Sequence, residues 1–111
     1  MSRMPARAVT ERTLTAPEEL GLETRVTFRR AALELLEELA EGDGRLILDL
    51  TGTRSVDSAG LTTLMLIQRR AAARRQVVRL RGAHEELRVL LVLTKMDELF
   101  ELEGDRDRPE A

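Results

Sequence analysis

The stretch RLILDLTGTRSVDSAGL, residues 45–61, decides how this chain folds. It opens with a short apolar run, RLILDL (45–50), held between Gly44 and Gly52. A run of this length between turn residues fits a buried strand better than a helix. TGTRSVD (51–57) reads as a loop, and AGLTTLMLIQRRAAARR (59–75) reads as a helix that starts at once. The chain thus passes from strand to loop to helix within a few residues, with Asp57 and Ser58 at the point of entry. Asp and Ser are both good helix N-caps, because a side-chain oxygen can accept from a free N–H of the first turn. The same place is suited to an anion, since the free N–H groups and the helix dipole both favour negative charge there. From local chemistry alone, capping and a functional hydroxyl are both open at Ser58.

Working outward, the alternation continues on both sides. TRVTFRRAALELLEELAEGDG (24–44) is a helix with Phe28, Ala32, Leu35, Leu36 and Leu39 on one face, stopped by Gly42-Asp43-Gly44. VVRLRG (77–82) is a strand closed by Gly82, and AHEELRVLLVLT (83–94) is a helix with Leu87, Leu90, Leu91 and Thr94 on one side. KMDELFELE (95–103) gives a turn and a last short strand. RAVTERTLTAP (7–17) supplies a strand ended by Pro17. Strands alternating with helices imply parallel pairing through right-handed crossovers, with sites where strand ends meet helix N-termini. The expectation is a single α/β domain over 8–102. It has a mostly parallel sheet of four to five strands, three main helices and short extra elements. A flexible N-terminus (1–7) and a charged tail (103–111) flank it.

Composition narrows the function. The 111 residues are 34% charged yet carry a net charge of only −2, which gives no global pull toward nucleic acid or acidic membranes. There is no cysteine, so thiolate chemistry and disulfides are excluded. The two phenylalanines are the only aromatics, leaving little to stack on bases. No apolar run approaches the roughly 18 residues that span a bilayer, and MSRMPARAVTERT has no secretory apolar core. A soluble cytoplasmic protein, with no nucleic-acid partner and no direct membrane insertion, is expected.

On the helix after Ser58, a spacing of about 100° per residue puts Leu61, Leu64, Met65 and Ala72 on one side. Ala59, Thr62, Thr63, Leu66 and Arg70 fall opposite. That outer stripe, beside Asp57, Ser58 and Gly60, is the candidate docking surface. Arg69, Arg70, Arg74, Arg75, Arg79 and Arg81 lie in a stretch without acidic residues. They fit a solvated helix face and strand edge paired with the first helix's glutamates better than a phosphate or acidic-partner patch. His84, the single histidine, lacks spaced metal partners and reads as a surface residue in the first turn of its helix. Asp49 ends a strand and braces the next loop. No Ser-His-Asp set, phosphate loop or metal cluster is visible, so no catalytic residue, metal site or cofactor is expected.

LILDLTGTRSVDSAGLTTLMLIQRRAAARRQVVRLRG resembles the centre of a STAS domain, the fold of anti-sigma factor antagonists. The family's apolar strand ending in Asp-Leu, its Asp-Ser-[Ser/Ala]-Gly-Leu corner, its helix and its strand ending in Gly occur in order. They fall at Asp49-Leu50, Asp57–Leu61 and Val77–Gly82. LLVLTKMDELFEL resembles the family's C-terminal pattern, so the likeness covers about residues 22–102. The family's opening Gly-x-Leu-Asp turn is replaced by Gly21-Leu22-Glu23, and the segment before it has room for one strand or two very short ones. The resemblance implies a phosphoprotein of bacterial signalling and transcription regulation, not an enzyme. Ser58 would be the phosphate acceptor. The unphosphorylated form would bind an anti-sigma factor that is itself a serine kinase, and a PP2C-type phosphatase would reset the switch. Asp57 would shape the loop and Gly60 would permit close approach. Because STAS proteins also serve as cytoplasmic subunits of ABC-type phospholipid transporters, an ABC transporter ATPase is the alternative partner. The Val-Asp-x-Ala-Gly-Leu form, with Ala59, suits that role too.

Overall fold

The computed structural model describes residues 9–103. The expected N-terminal flexible segment, and the tail apart from Glu103, lie outside them. The elements run β1 (Glu11–Thr15), β2 (Glu19–Leu20), α1 (Arg25–Glu38), β3 (Arg45–Asp49), β4 (Ser55–Val56), α2 (Ser58–Ala73), β5 (Val77–Arg81), α3 (Glu85–Leu93) and β6 (Glu101–Glu103). One four-stranded sheet has the order β1-β3-β5-β6, and β2 pairs with β4 in a two-stranded ribbon. Every pair is parallel. The α/β reading therefore holds, with four strands in the main sheet. The segment read wholly as the loop TGTRSVD contains β4, whose partner β2 settles the opening segment as one full strand and one very short one.

Strand alternation divides the sheet into two unlike faces. Leu14, Leu46, Leu48, Val78, Leu80 and Leu102 join the core cluster. Phe28, Ala32 and Leu36 of α1, Leu64, Ile67 and Ala71 of α2, and Leu87 and Leu91 of α3 belong to the same cluster. On the other face the register aligns Thr13, Ile47, Arg79 and Glu101 in one row and Thr15, Asp49, Arg81 and Glu103 in the next. This face carries ion pairs. Arg45 meets Glu101 at 3.1 Å and Glu11 at 3.3 Å, Arg79 meets Glu101 at 3.1 Å, and Arg81 meets Glu103 at 2.6 Å. Parallel sheets usually have both faces covered; here charged cross-strand pairs dress the second one. Arg79 and Arg81 are thus paired with β6, not with the glutamates of α1 as the sequence suggested. Parallel register places Arg79 and Arg81 directly beside Glu101 and Glu103.

Buried polar groups lock the connections. Gln76 Nε2 donates to the carbonyls of Leu36 and Leu39, each at 3.0 Å, satisfying the open end of α1. Thr53 Oγ1 donates to Pro17 O at 2.8 Å, fixing the loop after β3 to the one after β1. Asp49 Oδ1 accepts from Thr51 N at 3.0 Å, the bracing role expected of it.

Candidate functional site: the Asp57–Ser58 corner

The corner forms where β4 ends and α2 begins. Asp57 is the N-cap, with extended backbone, and its Oδ1 accepts from Gly60 N at 2.9 Å. Its other oxygen, Oδ2, accepts from Leu22 N at 3.3 Å, tying the Gly21–Glu23 turn to the corner. Asp57 N donates to Leu20 O at 3.2 Å, and Thr24 Oγ1 accepts from Gly21 N at 3.0 Å. The hydrogen bond from the Gly60 amide, followed by those from Leu22 and Ala59 and the nearby positive charge of Arg25, holds the Asp57 carboxyl below its ordinary range.

Glycine is required twice for space. A Cβ on Gly60 would run into the backbone carbonyl of Leu20, and one on Gly21 would run into the Asp57 carboxylate. The close approach expected of Gly60 is therefore made inside the molecule, between α2 and β2.

Ser58 is the first residue of α2 and is exposed. Because Asp57 does the capping, the Ser58 hydroxyl makes no hydrogen bond among the described residues. The first turn of α2 contains no acidic residue. A hydroxyl is thus presented to solvent at the positive end of a 16-residue helix, whose first turn adds no acid to the Asp57 cap beside it.

The residues expected to flank Ser58 separate on inspection. Thr62 and Leu66 are exposed, Leu66 at 40%, and Ala59 is half-buried. Thr63 corrects the expected outer stripe: it is 1% exposed, and its Oγ1 donates to Ala59 O at 2.9 Å. The inner side of α2 is Gly60, Thr63, Leu64, Ile67 and Ala71, while Ala72, expected inside, faces solvent. Aliphatic side chains surround α2, so sequence periodicity gives its rotation poorly. Contact between Gly60 and Leu20 fixes it instead. Sequence reasoning also missed Leu22, which is 65% exposed beside Asp57. The signal available was Gly21-Leu22-Glu23, an apolar residue in a polar turn.

Elsewhere, His84 is not a plain surface residue. It is the N-cap of α3, half-buried, with Nδ1 accepting from Leu87 N at 3.1 Å. No group of three or more metal-ligating side chains occurs among the described residues, and no helix among them is long and apolar enough to cross a membrane.

A parallel sheet with this strand order, and an Asp-Ser corner at the start of its central helix, define a STAS-type domain. The chain belongs to the STAS family described as "Mlab, STAS domain", whose model matches residues 5–102. No curated protein sequence matches the chain. Among solved structures, it is similar to the crystal structure of a candidate anti-sigma factor antagonist from Thermotoga maritima. Identity is 20% and the TM-score 0.67, covering 81% of this chain and 77% of that one. The NMR structure of the same Thermotoga protein gives 20% and 0.68, covering 89% and 83%. A sulfate transporter family protein from Wolinella succinogenes gives 18% and 0.57, covering 87% and 74%. At these identities the likeness is one of fold.

Proposed function

We propose that the protein is an anti-sigma factor antagonist, a cytoplasmic binding module rather than an enzyme. The observation that carries this reading is the free, exposed Ser58 hydroxyl at the first position of α2, with its neighbour Asp57 already committed to the cap. The unphosphorylated corner binds a kinase-type anti-sigma factor through Asp57, Ser58, Thr62 and Leu66, with Leu22 beside them. Ala59 and Gly60 hold the backbone in place, and Thr63 is left out because it is buried. The kinase passes the γ-phosphoryl group of its ATP to Ser58 Oγ, and the hydroxyl proton leaves. The product carries a charge of about −1.5 to −2, which the helix N-terminus tolerates but a docked protein surface beside Asp57 does not. A PP2C-type phosphatase removes it.

The test uses tagged wild-type, Ser58→Ala and Ser58→Glu protein expressed in the source cells, with captured partners identified and their affinities measured. Ser58→Ala keeps the anti-sigma kinase, and Ser58→Glu loses it by about 100-fold, or ~2.7 kcal/mol. Thermal melting of Ser58→Glu is not lowered, because a carboxylate at the first helical position faces the positive dipole end. Equal affinity of both variants for the kinase contradicts the proposal.

A second reading is supported by the transporter-family neighbour and by Ala59 in Val56-Asp57-Ser58-Ala59-Gly60-Leu61. In it the chain is a cytoplasmic subunit bound to the ATPase of an ABC-type phospholipid transporter, and Ser58 needs no modification. Capture of such an ATPase equally by wild type and Ser58→Glu selects it.

A further inference from the structure

The structure splits the six arginines between residues 69 and 81 into groups with different surroundings. Arg79 and Arg81 are held by Glu101 and Glu103 on the sheet. Arg69 and Arg70 stay exposed on the outer side of α2. With Arg29 of α1 they line a groove between the two helices, together with Leu33, Leu66 and Ala73. No carboxylate lines this groove. None of its three arginines forms an ion pair or side-chain hydrogen bond among the described residues. The groove is also continuous with the corner. Ser58, Thr62, Leu66 and Arg70 succeed one another at four-residue steps along the exposed side of α2, and Leu66 lies about 12 Å from Ser58 along the axis.

From this charge pattern we infer that the groove receives an acidic amphipathic helix of the protein partner. An aliphatic side chain of that helix seats on Leu33 and Leu66, and its flanking carboxylates face Arg29, Arg69 and Arg70. The inference rests on the reading of the Ser58 corner as a partner-binding surface, and it adds the chemistry of the partner. Guanidinium groups suit carboxylates, which they can grip through paired N–H donors. An exposed leucine ringed by charge is the arrangement of an anchor with a polar rim. Nucleic acid fits less well. Both phenylalanines are buried, at 4% and 6% exposure, so no aromatic platform accompanies the cations. A lipid surface also fits less well, because the exposed apolar part is small, Leu66 at 40% with half-buried Leu33 beside it.

The experiment uses the full chain, isotope-labelled for amide NMR. The probes are two synthetic helical peptides with identical leucine spacing, one flanked by glutamates and one by lysines. The glutamate peptide is expected to shift the amides of Leu33, Leu66, Arg69, Arg70 and Ala73, and the lysine peptide to leave them in place. Raising salt from about 50 to about 300 mM weakens the glutamate peptide, because Arg69 and Arg70 are exposed and screened. The double variant Arg29→Glu/Arg70→Glu loses at least about tenfold in affinity, with its remaining amide spectrum unchanged. At about 150 mM salt, Ser58→Glu binds the same peptide within about threefold of wild type, since its charge lies about 12 Å from Leu66 along the axis, beyond a screening length of about 8 Å. The two readings therefore fail separately. Equal partner capture by wild type and Ser58→Glu, lost in the double arginine variant, removes the Ser58 switch and keeps the groove. Equal response to both peptides, or to neither at millimolar concentration, overturns the groove. So do shifts at these amides that are produced only by phosphatidylglycerol vesicles or only by a DNA duplex.

Discussion

Helices α2 and α3 begin in the same way and end up with different capacities. Each has an N-cap side chain that accepts from the amide three residues on: Asp57 from Gly60 at 2.9 Å, and His84 from Leu87 at 3.1 Å. The two diverge in the residues directly after the cap. The first turn of α3 carries Glu85 and Glu86, so the positive end of that helix already has its anions. The first turn of α2 carries Ser58, Ala59 and Gly60, with no acid. Its third position is a glycine pressed on Leu20, where α3 has Leu87 packed into the core. A shared cap geometry is therefore structural. What distinguishes the α2 corner is an exposed hydroxyl directly after a carboxylate cap, in a first turn that carries no further acid and is pressed on β2 at Gly60.

The largest expected effect breaks the α2 corner at its third position. Gly60→Val places carbon against the Leu20 carbonyl and should cost about 3 kcal/mol, read as a lowered urea midpoint. An unchanged midpoint would mean that the approach of α2 to β2 is loose and that the corner is not rigidly held. The next effect concerns α3. His84→Ala removes the cap and should cost about 1 kcal/mol, whereas His84→Asp, which supplies an oxygen in the same role, should recover most of it. Failure of aspartate to recover stability would show that the imidazole ring is needed for packing and not for its acceptor.

The smallest effect sharpens the electrostatic side of the comparison. The Asp57 carboxyl is held low chiefly by the Gly60 amide, so its folded pKa lies below its unfolded one. That contribution to stability is present above the ordinary carboxylate range, near pH 4, and is lost as pH falls through the depressed folded value. Asp49, held low by Thr51, and Glu103, held low by Arg81, act in the same direction. Asp57→Asn should leave the neutral-pH fold intact and make the acid limb of a melting-temperature profile shallower. An acid limb identical to wild type would show that Asp57 titrates without consequence for folding.

Much of this architecture is legible in the sequence, and the parts that are not share a cause. RLILDL, an apolar run between Gly44 and Gly52, and VVRLRG, β-branched and closed by Gly82, are recognisable as strands because short segments of this kind have few other uses. The face of α1 is recognisable because Phe28, Ala32, Leu36 and Leu39 stand against charged neighbours, and all four are buried. Strands β2 and β4 have two residues each, too few for any periodicity, and exist only because they pair with each other. The outer side of α2 is misjudged at Thr63 because leucine and methionine on several sides blur the inner face. The pairing of Arg79 and Arg81 with β6, and the grouping of Arg29 with Arg69 and Arg70, depend on register and helix neighbours, which no single segment contains. Ser58 is legible as a position. Its freedom is not, because that depends on Asp57 taking the cap.

The central claim is that the Ser58 hydroxyl is kept free in order to be modified. Its most direct measurement is site-resolved phosphopeptide mapping of the protein isolated from its own cells in growth and under stress. The account predicts phosphate on Ser58, at an occupancy that changes between conditions, and none on the other serine of the corner, Ser55. Ser58 found unmodified in every condition, with the same partners bound throughout, would contradict it and leave the residue as the first turn of a helix.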